Sequence, residues 1–146
     1  MKNYFFILFA AGAIQSVVFG GRQTIPLSIE GINLASTVNY LEISFAFAVG
    51  QLISGAVTPL GGVISDKYGS GKTLLLGIVI STLGCFLIPF STTPLMLVLS
   101  IGILSAGGSG IAGLPVIMSA VNKLMPPEKS GMAFGFVNAG GSVGQF

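Results

Sequence analysis

From Thr73 to Asn122 the chain reads TLLLGIVISTLGCFLIPFSTTPLMLVLSIGILSAGGSGIAGLPVIMSAVN, without one charged side chain, and this stretch decides the fold. A helix rises about 1.5 Å per residue, so a bilayer core takes about 20 apolar residues. A run of about 50 is too long for one crossing and right for two. The break between them is written in Pro89, Ser91, Thr92, Thr93 and Pro94. The stretch therefore predicts two membrane helices, near 73–90 and 95–122.

Upstream, Ile43 to Ser65 is uncharged and ends at Asp66 and Lys67, and Tyr4 to Gly21 is uncharged after Met1, Lys2 and Asn3. The latter stretch is long for the apolar part of a signal peptide, and more apolar segments follow it. Downstream, a polar break from Lys123 to Ser130 contains Pro126 and Pro127, and a last uncharged run extends from Gly131 to Phe146. At about 16 residues it is short of a full crossing. The expected spans lie near 4–27, 40–65, 73–90, 95–122 and 129–146, an all-α integral membrane protein of about five helices.

Composition agrees. Of 146 residues 52% are hydrophobic and 7% charged, where a soluble domain carries about a quarter charged residues to cover its surface. Basic residues alternate as the positive-inside rule requires: Lys2, Lys67 with Lys72, and Lys123 with Lys129 fall on one side, Arg22 on the other. The expectation is a multi-pass protein of a plasma or bacterial inner membrane with a cytoplasmic amino terminus. Cys85 has no second cysteine to bridge and there is no histidine, so neither a disulfide nor a metal site is expected, and no cofactor. A net charge of +2 without a basic cluster gives no face for nucleic acid. An intramembrane enzyme would need acid, base and nucleophile groups that these spans lack.

Gly69, Ser70, Gly71, Lys72 and Thr73 imitate the end of a phosphate-binding loop, but the pattern requires a glycine where Asp66 stands, and soluble elements where membrane spans flank it. The same turn, read as Gly62, Asp66, Lys67, Tyr68, Gly69 and Lys72, resembles the signature loop of the major facilitator superfamily. On physical grounds Gly62 permits a close helix approach, Gly69 a tight turn, and Asp66 a pairing with basic groups or a helix amino terminus. The resemblance implies a role in switching between outward-open and inward-open states. An ordinary polar turn is the plainer reading. Phe19, Gly20, Gly21, Arg22 and Gln23, then Pro126 to Gly131, then Gly135, Asn138, Ala139, Gly140, Gly141, Ser142, Gly144 and Gln145 resemble, in order and spacing, the monocarboxylate porter and oxalate/formate antiporter branch. The fourth span has no arginine and the fifth no Gly-Pro pair, which speaks against sugar and drug carriers.

Arg22 is the candidate substrate-binding residue. A first helix continuing toward Pro26 would carry its guanidinium inward, at a cost of about 2.5 to 3.5 kcal/mol at a helix centre, tolerated where it faces a cavity or partner. Its forked donors suit a carboxylate, and the resembled branch implies a basic residue near this point of the first helix. The alternative is an arginine that snorkels to the outer interface. Glu42 is a candidate for proton coupling, or simply an acid favoured in the first helical turn. Gly107, Gly110, Gly131, Gly135, Gly140 and Gly144 are expected to pack helices. Gln15, Gln51, Asn138 and Gln145 line a polar path or join helices; the sequence leaves both open.

The resemblance implies an incomplete six-helix half of a twelve-span carrier that moves a small organic anion, a monocarboxylate or dicarboxylate, by alternating access, with a coupling proton as a possible partner. A small membrane scaffold or assembly subunit is the alternative. Because the chain stops within its fifth helix, a truncated carrier lacking its C-terminal helices is expected. Vesicles containing only this chain should take up no carboxylate above protein-free vesicles, and measurable uptake would contradict the expectation.

Overall fold

The computed structural model describes residues 4–27, 29–35 and 38–145. Lys2 and Phe146, which entered the topology and the fifth span above, lie outside them. The described residues are helical throughout, joined by short turns. Four segments, Tyr4–Leu27, Tyr40–Tyr68, Ser70–Phe90 and Pro94–Leu124, are long and apolar enough to cross a membrane. The protein is a multi-pass membrane protein, with Phe5, Phe6, Leu52, Leu75 and Phe86 among the large apolar side chains turned outward.

Local chemistry sets the boundaries. Helix α1 (Tyr4–Leu27) continues past Gly21 and Arg22 and stops just beyond Pro26; the proline lacks the N–H that would bond the Arg22 carbonyl one turn earlier. A short α2 (Ile29–Ala35) follows. Helix α3 (Tyr40–Tyr68) starts at a capping box: Asn39 Oδ1 accepts from the Leu41 N–H at 3.2 Å, and Glu42 Oε2 accepts from the Asn39 N–H at 2.9 Å. Helix α4 (Ser70–Leu87) is separated from α3 by Gly69 alone, whose φ of 96° lies in the region that favours glycine. The sequence placed a loop from Asp66 to Lys72. Instead these residues are helical apart from Gly69, because charged side chains at helix ends reach water without unwinding the backbone, and Lys67 suits a carboxyl-terminal turn.

The fourth span is not one uniform helix. A single turn, α5 (Pro94–Leu97), leads into a π-helical stretch Val98–Ser105, then α6 (Ala106–Ile111) and α7 (Leu114–Leu124). The break at Ala112 and Gly113 precedes Pro115, which fits the first turn of a helix where its missing N–H is not needed. Helix α8 (Ser130–Val143) begins after a turn at Pro127–Lys129. It is shorter than the span expected for 129–146 and lies along α1.

The fourth span is the hub: 56% of its most apolar window is buried inside the molecule, against 22% for α1 and α3. Lipid offers no hydrophobic force between helices, so close backbone packing must hold them. An added Cβ on Gly50 of α3 would meet Ala106 Cβ at 3.1 Å and Gly102 Cα at 3.2 Å, and one on Gly110 would meet the Ser54 carbonyl oxygen at 2.9 Å. On the opposite side, a Cβ on Gly77 would meet the Gly108 carbonyl at 2.7 Å, and Gly84 and Gly108 press against the backbone of Ser105 and Ser81. Between α1 and α8, a Cβ on Gly140 would meet the Gly12 carbonyl at 2.5 Å, Gly144 abuts Ser16, and the Ser16 hydroxyl donates to the Gly140 carbonyl at 2.5 Å.

Of the six glycines expected to pack helices, Gly110, Gly140 and Gly144 therefore stand at backbone crossings. Gly107 meets only the Ile53 side chain at ordinary contact distance, 3.6 Å, and Gly131 and Gly135 have nothing within 4 Å. Periodicity selects a face of a helix; it does not say which turn of that face a neighbour crosses. Gly108→Leu, forced against Ser81, should lower stability by about 3 kcal/mol, the upper end for overpacking, whereas Gly135→Leu should be neutral. Thermal unfolding of the two variants in detergent checks this, and equal melting temperatures would refute the crossing.

Candidate functional site

Arg22 lies in α1 about five residues, or roughly 7.5 Å, from the helix end. Its side chain is partly buried and reaches across to α3. Nη1 donates to Ser54 Oγ at 3.1 Å, and Nη2 donates to Gln51 Oε1. Residues 51 and 54 are three apart and share one face of α3, and Ser54 stands midway between Tyr40 and Tyr68. The guanidinium thus meets α3 at about the middle of that helix.

The two acceptors are held by the hub. Ser54 is 4% exposed and sits against Gly110, and Gly50, the neighbour of Gln51, crosses Gly102 and Ala106 at contact distance. Arg22 has five N–H donors, of which two are used among the described residues. Neither acceptor is a carboxylate. Of the acids, Glu42 is occupied in the α3 capping box, and Asp66 accepts from the Ser119 hydroxyl at 3.0 Å.

Arg22 lines two cavities. One, of about 460 Å³, is bounded by Ile25, Pro26 and Ile29 at its α1–α2 end, by Phe47, Ala48 and Gln51 of α3, and by Ile101, Ser105 and Ala106 of the fourth span. The other, of about 500 Å³, adds Ser81, Thr82 and Cys85 of α4 with Ser105 and Ser109. Both are the size of small-molecule sites, mostly apolar with a few polar groups. Ser105 borders both, at the end of the π-helical stretch, with its Oγ 3.5 Å from Cys85 Sγ.

At the α3–α4 turn, Ser65 Oγ donates to Ser70 Oγ at 3.0 Å and Ser70 Oγ donates to Ser119 Oγ at 3.5 Å; Ser119 then donates to Asp66. This hydroxyl chain links the turn to α7. The tightest approach there is at Gly61, where an added Cβ would meet the Ile111 carbonyl at 2.5 Å; at Gly62 it would meet only Pro115 Cβ at 3.5 Å. The close contact expected of Gly62 belongs to its neighbour, because Gly61 is the residue on the buried face of α3. Lys67 Nζ lies 5.3 Å over the Tyr68 ring, and Lys72 is exposed in the first turn of α4.

The structure thus brings Arg22 and Gln51 together and leaves the signature turn and Glu42 elsewhere. Gln15 is 1% exposed and packs against Gly141, with no hydrogen bond to its Oε1 among the described residues, so it does not share the cavity of Gln51. Ser54, Ser105 and Ser119 escaped the sequence reading. A glutamine and a serine three apart in an uncharged span were the available signal for the first; nothing in the sequence pointed to the other two.

A model of the Major Facilitator Superfamily matches residues 4–146. The chain is 24% identical over 132 residues, 90% of its length, to monocarboxylate transporter 13 of Rattus norvegicus, and 26% identical over 110 residues, 75% of its length, to monocarboxylate transporter 12 of Homo sapiens. It is 34% identical over 98 residues, 61% of its length, to the quinolone resistance protein NorB of Staphylococcus aureus. It spans 30%, 21% and 21% of the lengths of these three relatives. No solved structure matches it. A family match over almost the whole chain, on four membrane-length helices of which three pack on the fourth, establishes that the chain belongs to the major facilitator superfamily.

Proposed function

We propose that the protein carries a small organic anion, a monocarboxylate or dicarboxylate, across the membrane by alternating access, with Arg22 as the group that holds the carboxylate. Transport of small solutes is the activity of the family. The observation that carries the finer reading is the guanidinium reaching the middle of α3 with only neutral acceptors among the described residues. Such a group keeps its full charge in a medium where charge is weakly screened, and a carboxylate supplies the missing partner through two parallel hydrogen bonds. The apolar walls at Phe47, Ile101 and Ile25 suit a hydrocarbon remainder, and Ser105 offers a neutral polar contact. The similarity to two monocarboxylate transporters supports the same class of solute.

In the switch, the turn at Gly69 and the Ser119–Asp66 bond join α3 and α4 to α7, so the three helix ends move together. Coupling to a proton at Glu42 would require that carboxylate to leave the Asn39 cap.

Arg22→Gln keeps hydrogen bonding and removes the charge. Losing a hydrogen bond to a charged group costs about 2 kcal/mol, so kcat/KM for carboxylate uptake by the complete gene product should fall about 30-fold. Arg22→Lys, with charge but no fork, should fall between the two. Uptake of labelled acetate, butyrate, pyruvate and succinate into proteoliposomes is the measurement. Undiminished uptake by Arg22→Gln would sink the proposal, and transport of a quinolone in its place would favour the class of compound named for NorB.

A further inference from the structure

An arginine can be accommodated inside a membrane protein in two ways. A carboxylate partner cancels its charge, whereas neutral acceptors fix its geometry and leave the charge for something else. The chain has only four acidic residues, Glu30, Glu42, Asp66 and Glu128, and among the described residues none of them pairs with Arg22. Glu42 is on the same helix as Gln51, but nine residues away, roughly 13 Å along the axis, and it is bound in the cap. Gln51 and Ser54 occupy the positions from which a carboxylate would meet the guanidinium, and each offers a neutral oxygen instead. Gln51 differs from glutamate by one atom, so the neutrality of this contact is a property of the residue chosen rather than of the space available.

We infer that Gln51 and Ser54 are positioning residues that hold the Arg22 fork while keeping it electrically uncompensated, and so set the preference of the site for anions. The inference rests on the reading of Arg22 as the carboxylate-holding group. Its reach is specific: the backbone crossings of Gly50 with Gly102 and Ala106, and of Ser54 with Gly110, fix the turn of α3 that carries the buried Ser54 and the exposed Gln51, and these two receive the guanidinium. A purely structural role makes the opposite prediction for one substitution. Gln51→Glu preserves shape and strengthens the bond to Arg22, so a structural contact would be improved by it. A charge-preserving contact would be ruined, because the new carboxylate competes with the ligand for the same donors.

The experiment is protection of Cys85 from alkylation by N-ethylmaleimide in the complete gene product, with butyrate as the protecting ligand. Cys85 lines the second of the two cavities that Arg22 borders, with its Sγ 3.5 Å from the Oγ of Ser105, which borders both, so an anion on the Arg22 fork is read at Cys85 without requiring transport. With Cys85 unprotected in the unmodified protein, or equally protected in Arg22→Gln, the anion-holding role of Arg22 fails and the inference fails with it. If Arg22→Gln abolishes protection, Gln51→Glu should raise the half-protecting butyrate concentration at least tenfold at an unchanged or higher melting temperature, and Ser54→Asp should do the same from the second position. Unchanged protection in a folded Gln51→Glu or Ser54→Asp variant overturns the inference and leaves the role of Arg22 standing. Failure of both variants to fold also overturns it, since an uncompensated guanidinium should accept the added carboxylate.

Discussion

The structure depends on backbone-to-backbone contact along the fourth span. Gly102, Ala106 and Gly110 meet Gly50 and Ser54 of α3, while Gly108 and Ser105 meet Ser81 and Gly84 of α4. A side chain larger than a methyl group at several of these points would separate the helices by the thickness it adds. In water such a gap would still leave apolar surfaces driven together. In lipid the surfaces are already solvated by hydrocarbon, and dispersion between closely packed backbones, together with bonds such as Ser16 to Gly140, must hold the bundle.

That rigidity is what makes a polar site possible within it. Arg22 sits on α1, which meets α8 through Gly12, Ser16, Gly140 and Gly144, whereas its acceptors sit on α3, which meets the fourth span. The guanidinium therefore bridges α1 and α3, whereas Leu8 and Ala11 of α1 pack on Ile117 and Val121 of α7. A charge-assisted bond across such a boundary tolerates little misplacement, and the π-helical stretch Val98–Ser105 contributes by turning Ser105 to the border of both cavities. A carrier that rocks one group of helices against another would change this bridge before it changed any crossing.

The α3–α4 turn carries a second polar system with a different logic. Ser65, Ser70, Ser119 and Asp66 form a chain of hydroxyls ending on a carboxylate, and Asp66 is bonded by a neutral donor rather than a basic side chain. The same economy of charge is seen at Arg22: among the described residues, Arg22 and Asp66 both hydrogen-bond across helices to neutral partners. Each can change partner without first breaking an ion pair.

The sequence by itself determined the membrane setting and the all-helical character of the chain. Uncharged runs of bilayer length, punctuated by Pro89 to Pro94 and by Pro126 and Pro127, leave little else for those residues to form, since a backbone in lipid must satisfy its own hydrogen bonds. It also singled out Arg22, because a charge near an apolar run is conspicuous. Only the tertiary structure decided that Gly61 rather than Gly62 takes the close approach, that Gly131 and Gly135 face open space, that the fourth span is interrupted, and that Ser54 and Gln51 receive the guanidinium. The reason is that glycine and serine are tolerated on any face of a membrane helix, so their presence says little until a neighbouring helix crosses. Which turn it crosses is set by packing between segments distant in the chain, information that no local pattern contains.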